Sequence, residues 1–304
     1  MLRKKIQHYI RQHSMWKPND GILVSVSGGV DSMTMLHLLY HTRAMHKGIL
    51  KVVTFDHGLR DESKDEVEMV ANYCCKYDIP CQIIYLHLTK CTNLMEIARE
   101  KRRMHLESID SFRIVTGHHM NDQAETILYR MLRGSGLDGV SGMLPVQGRY
   151  CRPMLNVQKE EIISYAKMHQ IPFVNDPSNS KSMRGKLREI LSCLEDIHGP
   201  SIPSFAQSAR SFARDSDYLI AQTNRLWSEW NIEVYGIPIS NFNDLHFALQ
   251  IRLLRKILHH HAIPIRYKQL EQFLLSPLHN GHRMTCPNGY SLVVVAGYIV
   301  VSSC

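Results

Sequence analysis

The chain has 304 residues, of which 44% are hydrophobic and 21% are charged. This is the composition of an ordinary folded protein, and the length allows two domains with a well-buried core in the larger one. The net charge of +8 favours a polyanionic partner such as nucleic acid. Neither a signal-peptide core nor an apolar run of membrane-spanning length occurs, so we expect a cytoplasmic protein that does not bind membranes.

The eight cysteines are scattered along the chain, and no CxxC pair occurs among them. A small secreted protein with a disulfide framework would show a regular set of cysteines, and a structural zinc site would show paired ones. The sequence therefore predicts neither.

Four apolar runs rich in β-branched residues alternate with helical patterns in the first part of the chain. We predict strands at 22–27, 50–55, 82–88 and 112–116, and crossover helices at 33–47, 62–77 and 93–108. This alternation is typical of an α/β fold, in which a parallel sheet carries helices on both faces. Ligands of such sheets bind beyond the carboxyl ends of the strands.

The later sequence has a different character. Helices are predicted at 159–169, 203–230 and 245–260, and a terminal hairpin is predicted over 292–301 around Ala296-Gly297. We therefore expect a first domain with its linker at 1–214 and a smaller α+β domain at 215–304.

A glycine-containing run stands between the first strand and the first crossover helix, and it consists of Ser27, Gly28, Gly29, Val30, Asp31 and Ser32. Two glycines at such a turn expose backbone N–H groups to an anion at a helix N-terminus, which is typical of a phosphate cradle. No lysine follows the glycines, as it would in a Walker loop. A carboxylate beside phosphates would be repelled unless Mg2+ lay between them, so Asp31 predicts a bound Mg2+. The run as a whole predicts ATP as the bound nucleotide. The alternative is a plain glycine turn that caps the helix.

Polar residues also follow two other predicted strands. Asp56, His57 and Arg60 come after the second strand, and Gly117-His118-His119 comes after the fourth. Because the carboxyl ends of parallel strands share one edge of a sheet, these residues should converge on one crevice with the glycine run.

Five further blocks accompany SGGVDS in the order DHGLR, GHHMNDQAETIL, RGSGLDGVSGM, RP and DPSN. Together they resemble the tRNA(Ile)-lysidine synthase family of the N-type ATP pyrophosphatase, or PP-loop, superfamily. The resemblance is strong over 20–190. The remainder is more loosely similar to the first carboxy-terminal domain of that family, and a second such domain of longer members is not expected here. The resemblance therefore implies a PP-loop ATP pyrophosphatase domain with its linker at 1–214 and a small tRNA-binding-type domain at 215–304.

The resemblance implies a reaction on the wobble cytidine of an isoleucine tRNA with a CAU anticodon. ATP adenylates the ring carbonyl with loss of pyrophosphate, and free L-lysine then displaces AMP to form lysidine, with Mg2+ assisting. The sequence leaves the oligomeric state open, and a homodimer is compatible with it.

The resemblance also assigns roles to residues. The SGGVDS run is the ATP loop, with Asp31 the metal ligand. Asp122 and Glu125 bind metal, hold the lysine ammonium or accept its proton, and the identity of the base stays open; a capping role for the pair is the alternative. Substrate contacts are implied for residues of the remaining blocks, namely Asp56, His57, Arg60, His118, Asn121, Arg133, Gly134, Asp176, Ser178, Arg184 and Arg188.

Two positions depart from the family pattern. Gly185 stands where the family has Asn after Arg184, and Arg103 stands where an aromatic residue is more usual. The second departure creates a basic helix face with Arg99, and solvation or tRNA contact would both explain it.

Two other functions are compatible with parts of this pattern. A tRNA-thiolating relative would carry cysteine pairs, which this sequence lacks. A non-catalytic tRNA-binding module would have lost its polar strand ends, whereas here they are intact.

Overall fold

The structure of the chain, a computed structural model, describes residues 1–58, 62–88, 94–109, 112–174 and 183–303. Internal contacts divide the chain into two units, residues 1–212 and 213–304. The sequence places the boundary two residues later, and the separate roles it gives to the two parts stay predictions. None of the described helices is long and apolar enough to cross a membrane.

A six-stranded sheet forms the centre of the first unit. Its strands are β1 (Gly21–Val26), β2 (Ile49–Asp56), β3 (Cys81–Tyr85), β4 (Phe112–Val115), β5 (Val146–Gln147) and β6 (Tyr150–Cys151). Their order is β3-β2-β1-β4-β6-β5, and all neighbours are parallel except β5 and β6. The predicted α/β fold is thus confirmed. The β5–β6 hairpin was not predicted, because strands of two residues carry no periodic signal.

Helices cover both faces of this sheet. The helices of the first unit are α1 (Leu2–Gln12), α2 (Val30–His46), α3 (Glu62–Lys76), α4 (Leu94–Ser108), α5 (Met120–Leu132), α6 (Leu137–Val140), α7 (Lys159–Met168) and α8 (Met183–His198). A further helix, α9 (Ser201–Glu229), begins in the first unit and ends in the second. Side chains alternate along β1: Ile22 and Val24 pack into a core with α1, α2, α3 and α7, whereas Leu23 packs into a second core with Leu106 of α4.

A group of histidines lies between α2, α3 and the end of α7. His37 is only 6% exposed, and its Nδ1 lies 2.8 Å from the hydroxyl oxygen of Tyr73. The rings of His41 and His169 have their centres 4.2 and 5.3 Å from that of His37. Burial, reinforced by these two imidazoles and Arg3, lowers the pKa of His37 to about 3. The histidine group therefore favours the neutral form in the folded protein.

The first unit is expected to lose stability in mild acid. The pKa of His37 is about 3 when folded and about 6.5 when unfolded, so between these values the unfolded chain binds more protons. The contribution of neutral His37 to the free energy of unfolding is complete above about pH 6.5. It is lost as the pH falls, by roughly 1 kcal/mol per pH unit. Urea denaturation at several pH values measures this slope. The slope should be shallower in His37→Phe and unchanged in His198→Phe, an exposed position; equal slopes in all three proteins would contradict the assignment.

The second unit is a small α+β domain, as predicted. Its elements are α10 (Ile232–Tyr235), β7 (Ile237–Pro238), α11 (Ile239–Asn243), α12 (Phe247–His260), α13 (Tyr267–Leu275), β8 (Arg283–Thr285), β9 (Tyr290–Val295) and β10 (Tyr298–Ser303). The strands form an antiparallel sheet in the order β7-β10-β9-β8. Ala296 and Gly297 have φ of 50° and 83° in the predicted hairpin, which suits the twist of its strands.

Candidate functional site

The glycine run forms a tight turn between β1 and α2. Gly28 has φ of 82°, a conformation that favours glycine, and its carbonyl accepts a hydrogen bond from the Val174 N–H at 3.0 Å. The Ser32 hydroxyl accepts from the Ser27 N–H at 3.1 Å and donates to the Gly29 carbonyl at 3.0 Å. No side chain of the described residues caps the N-terminus of α2. The first amides of this helix are therefore available to an anion.

The turn after β4 lies directly against the start of α2. A Cβ on Gly117 would come within 3.2 Å of the Ser32 backbone nitrogen and 3.3 Å of the Asp31 carbonyl carbon. Only glycine allows this approach without a shift of the backbone. The two strand ends thus meet through main-chain contact.

Asp31 is the centre of a cluster of charged side chains. Its Oδ1 and Oδ2 accept hydrogen bonds from Lys159 Nζ at 2.6 and 2.8 Å, and its Oδ1 lies 3.6 Å from His119 Nε2. The same imidazole nitrogen lies 3.5 Å from Asp122 Oδ2. Burial raises the pKa of Asp31, but hydrogen bonds and positive charge from His119 and Lys159 outweigh it, so the pKa is lowered. The converse holds for His119, whose pKa is lowered by burial but raised overall by the two carboxylates.

The start of α5 positions this cluster. His119 is the N-cap residue, and its N–H donates to Asp122 Oδ2 at 3.0 Å, while its Nδ1 accepts from the Asn121 N–H at 3.3 Å. The Asn121 side-chain oxygen accepts from the Lys159 N–H at 3.0 Å and so joins α5 to α7. Asp122 therefore takes part in a capping box with His119, whereas Glu125 is outside it.

Glu125 instead forms an ion pair with α8 that is buried only on the carboxylate side. Its side chain is 4% exposed, and Oε1 lies 2.6 Å from Nε of Arg188. Its Oε2 has no hydrogen-bond partner among the described residues. Burial raises the pKa of Glu125, and the guanidinium of Arg188 offsets only part of that rise. Arg184 is exposed one turn earlier on α8, and Gly185, which departs from the family pattern, is buried inside this helix.

The other strand ends contribute groups of different character. Asp56, 4% exposed, accepts hydrogen bonds from the Gly58 N–H at 2.8 Å and the Ser63 hydroxyl at 2.7 Å. Burial raises its pKa, but these bonds lower it overall. The Nδ1 of His118 lies 2.8 Å from the Thr116 hydroxyl oxygen, and burial is the main cause that lowers the His118 pKa to about 4. His57 follows Asp56 and is partly buried.

Several predicted residues do not join this cluster. Arg133 and Gly134 follow the last turn of α5, with Arg133 roughly 21 Å along the helix from His119, and Arg133 donates to the Tyr129 hydroxyl at 3.2 Å. Arg60, Asp176 and Ser178 lie outside the described residues. For all of these the predicted substrate contacts stay predictions.

Sequence reasoning missed Lys159 as a site residue and did not single out His119 from its neighbour. Lys159 begins a helix 128 residues from Asp31, and a lysine at a helix start has no distinguishing pattern. His119 carried a signal, because a residue directly before a helix with an acid three positions later is placed to cap it.

Three comparisons place the chain among known proteins. A family model described as the PP-loop domain matches residues 2–193. The chain belongs to the PP-loop family. A curated tRNA(Ile)-lysidine synthase from Thermosipho africanus (strain TCF52B) is 36% identical over 71% of this chain and 52% of the relative. Another from Bacillus anthracis is 31% identical over 86% of this chain and 60% of the relative. The motif resemblance is thereby confirmed, and this PP-loop chain spans about half to three-fifths of the length of these relatives.

A solved structure supports the fold. The U34-tRNA thiolase NcsA from Methanococcus maripaludis, determined with its 4Fe–4S cluster, matches with a TM-score of 0.55 at 19% identity, covering 68% of this chain and 78% of that one. Identity at this level shows a shared fold and carries nothing further about chemistry.

Proposed function

We propose that this PP-loop protein is a tRNA-modifying ligase that adenylates the wobble cytidine of tRNA(Ile) with a CAU anticodon and then attaches lysine. The observation that carries the proposal is the cluster in which the His119 imidazole lies between Asp31, which follows the glycine turn, and Asp122 at the start of α5. The names of the similar relatives supply the tRNA and the lysine. A nucleotide cradle and a carboxylate-bearing helix at one sheet edge suit a two-step reaction.

The glycine turn is suited to the first step. Uncapped amides at the start of α2 would bind phosphate oxygens of ATP, and the base carbonyl would attack the α-phosphorus with departure of pyrophosphate. Among the described residues no three or more His, Cys, Asp or Glu are grouped to hold a metal. Mg2+ is commonly bound by one or two carboxylates plus phosphates and water, so Asp31 fits as its protein ligand. When bound, the ion supplies positive charge that stabilises the leaving pyrophosphate.

The carboxylates of α5 are suited to the second step. The ε-amine of free lysine has a pKa of about 10.4, so it arrives protonated and requires both an anionic partner and a proton acceptor. Oε2 of Glu125 is buried and has no partner among the described residues, and Asp122 lies one turn earlier on the same helix. We therefore assign the binding of the ammonium to these two groups. Attack of the neutral amine on the adenylated ring carbon then expels AMP.

The basic residues outside the cluster are assigned to tRNA. The net charge of +8 suits a polyanion, and exposed Arg133 and Arg184 flank the two ends of the α5 region. The predicted contacts of Arg60, Asp176 and Ser178, and a tRNA-binding role for the second unit, belong to the same proposal. Lysine is favoured over sulfur as the second substrate because the sequence has no CxxC pair.

One assay tests the proposed function. Purified protein is incubated with Mg2+, radiolabelled ATP, L-lysine and a tRNA(Ile) transcript with a CAU anticodon, and AMP release and lysine incorporation are measured. Both should depend on the tRNA, and a transcript with a CAG anticodon is the control. Release of AMP only when a sulfur donor replaces lysine would identify a thiolating enzyme instead. Absence of any tRNA-dependent AMP would refute ligase activity.

A further inference from the structure

The glycine turn has no lysine of its own, yet an ammonium lies beside it in the folded chain. Lys159 Nζ is 2.6 and 2.8 Å from the two carboxylate oxygens of Asp31, a residue in the first turn of α2. The lysine thus reaches the helix N-terminus that forms the anion cradle. A Walker loop places its lysine on the phosphates from within the loop itself.

The backbone around Lys159 is fixed from several sides. Its N–H donates to Asn121 Oδ1 at 3.0 Å, and the preceding Gln158 forms a capping box with Glu161. On the buried side of α7, Ile162 and Ala166 pack into the core that also contains α2. The ammonium is therefore presented from a rigid helix start, and only its own side chain needs to move.

Charge and exposure argue against a purely structural ion pair. The side chains of Lys159 and Asp31 are 29% and 31% exposed, so their contact remains accessible to solvent and contributes little to stability. Asp31 already has a second cationic neighbour in His119. An incoming triphosphate brings several negative charges, and lysine is a common point-charge ligand of phosphate. Lys159 can therefore turn from the carboxylate to phosphate while His119 continues to face Asp31.

We propose that Lys159 binds the phosphates of ATP, so that α7 supplies the cation that the glycine turn lacks, and that Asp31 holds this ammonium until nucleotide arrives. The inference rests on the proposed use of ATP and names a phosphate-binding residue for it. It requires no contact between Lys159 and the tRNA or free lysine.

Calorimetric titration of the full chain with ATP and with adenosine, in the presence of Mg2+ and without tRNA, tests this role. Lys159→Met should weaken ATP binding about 10- to 100-fold, the size expected for a lost hydrogen bond to a charged group, and leave adenosine binding unchanged. Lys159→Arg should retain most of the ATP affinity. Lys167→Met, an exposed lysine of the same helix, is the matched control and should bind both ligands like the wild type.

The outcomes separate the two proposals. Equal affinity of wild type and Lys159→Met for ATP, or equal losses for ATP and adenosine, would overturn the role of Lys159 and leave the ligase proposal standing. Wild-type protein that binds no ATP would overturn both. If thermal denaturation shows that Lys159→Met does not fold, Lys159→Gln takes its place, and ATP binding by Lys159→Gln as tight as by Lys159→Arg would refute a requirement for positive charge.

Discussion

Asp31→Ala is expected to reduce tRNA-dependent AMP formation roughly 100- to 1,000-fold, the range found when one group that stabilises transition-state charge is removed. The variant loses the carboxylate proposed to hold Mg2+, and it leaves Lys159 and His119 without their shared anion. Affinity for tRNA should change little, because the anion removed is not one that would attract a polyanion. Single-turnover assays with radiolabelled ATP and filter binding of the tRNA transcript measure the two quantities.

Asp196→Ala is the control for this variant, because Asp196 is an exposed aspartate of α8 in the same unit. It should form AMP at the wild-type rate. Loss of tRNA binding in Asp31→Ala, with AMP formation per bound tRNA unchanged, would contradict the metal role. Thermal denaturation of both variants shows whether lost activity reflects lost fold.

Glu125→Gln is expected to affect the second step and spare the first. The amide keeps the size of the side chain but removes the charge proposed to hold the ammonium of lysine, so the KM for lysine should rise about 10- to 100-fold. Adenylation of the tRNA should continue, and the adenylated intermediate should accumulate at low lysine concentration. Rapid-quench measurement of AMP-labelled tRNA and of incorporated lysine distinguishes the two steps.

Stability should respond weakly to the same change. Burial raises the pKa of Glu125, so its ionised form is costly inside the protein, whereas its partner Arg188 is 48% exposed and can be solvated when the charge is lost. Glu189→Gln, an exposed change of the same chemistry on α8, is the control and should leave lysine use unaltered. A fall in adenylation equal to the fall in lysine incorporation would contradict a role confined to the second step.

The sequence was sufficient to predict the first unit's layers because its strands and helices are long and periodic. β1 and β2 were located within one residue at each end, and the convergence of their carboxyl ends follows from parallel pairing. The turn at Gly28 and the hairpin at Ala296-Gly297 were predicted from residues with strong backbone preferences.

Contacts made by ordinary polar residues from distant segments could not be predicted. Lys159 and Arg188 meet Asp31 and Glu125 across 128 and 63 residues, and the side-chain types alone do not distinguish these cations from solvated ones. The distance of Arg133 from the cluster was equally hidden, because it depends on α5 continuing without interruption for 13 residues. Sequence blocks show which residues belong together in function, whereas tertiary packing decides which of them touch.

The close approach at Gly117 links assembly of the site to folding of the sheet. Since its missing side chain lets the backbone at Asp31 and Ser32 lie against the end of β4, the cradle and the charged cluster share one main-chain framework. Because the described backbone is in direct contact here, the glycine turn and the charged cluster cannot move apart without disrupting the ends of β1 and β4. Hydrogen exchange at the buried Met33 amide, which donates to the Gly29 carbonyl at 3.0 Å, should therefore be slow and report on global unfolding, and heat should abolish nucleotide binding in the same transition that melts the first unit.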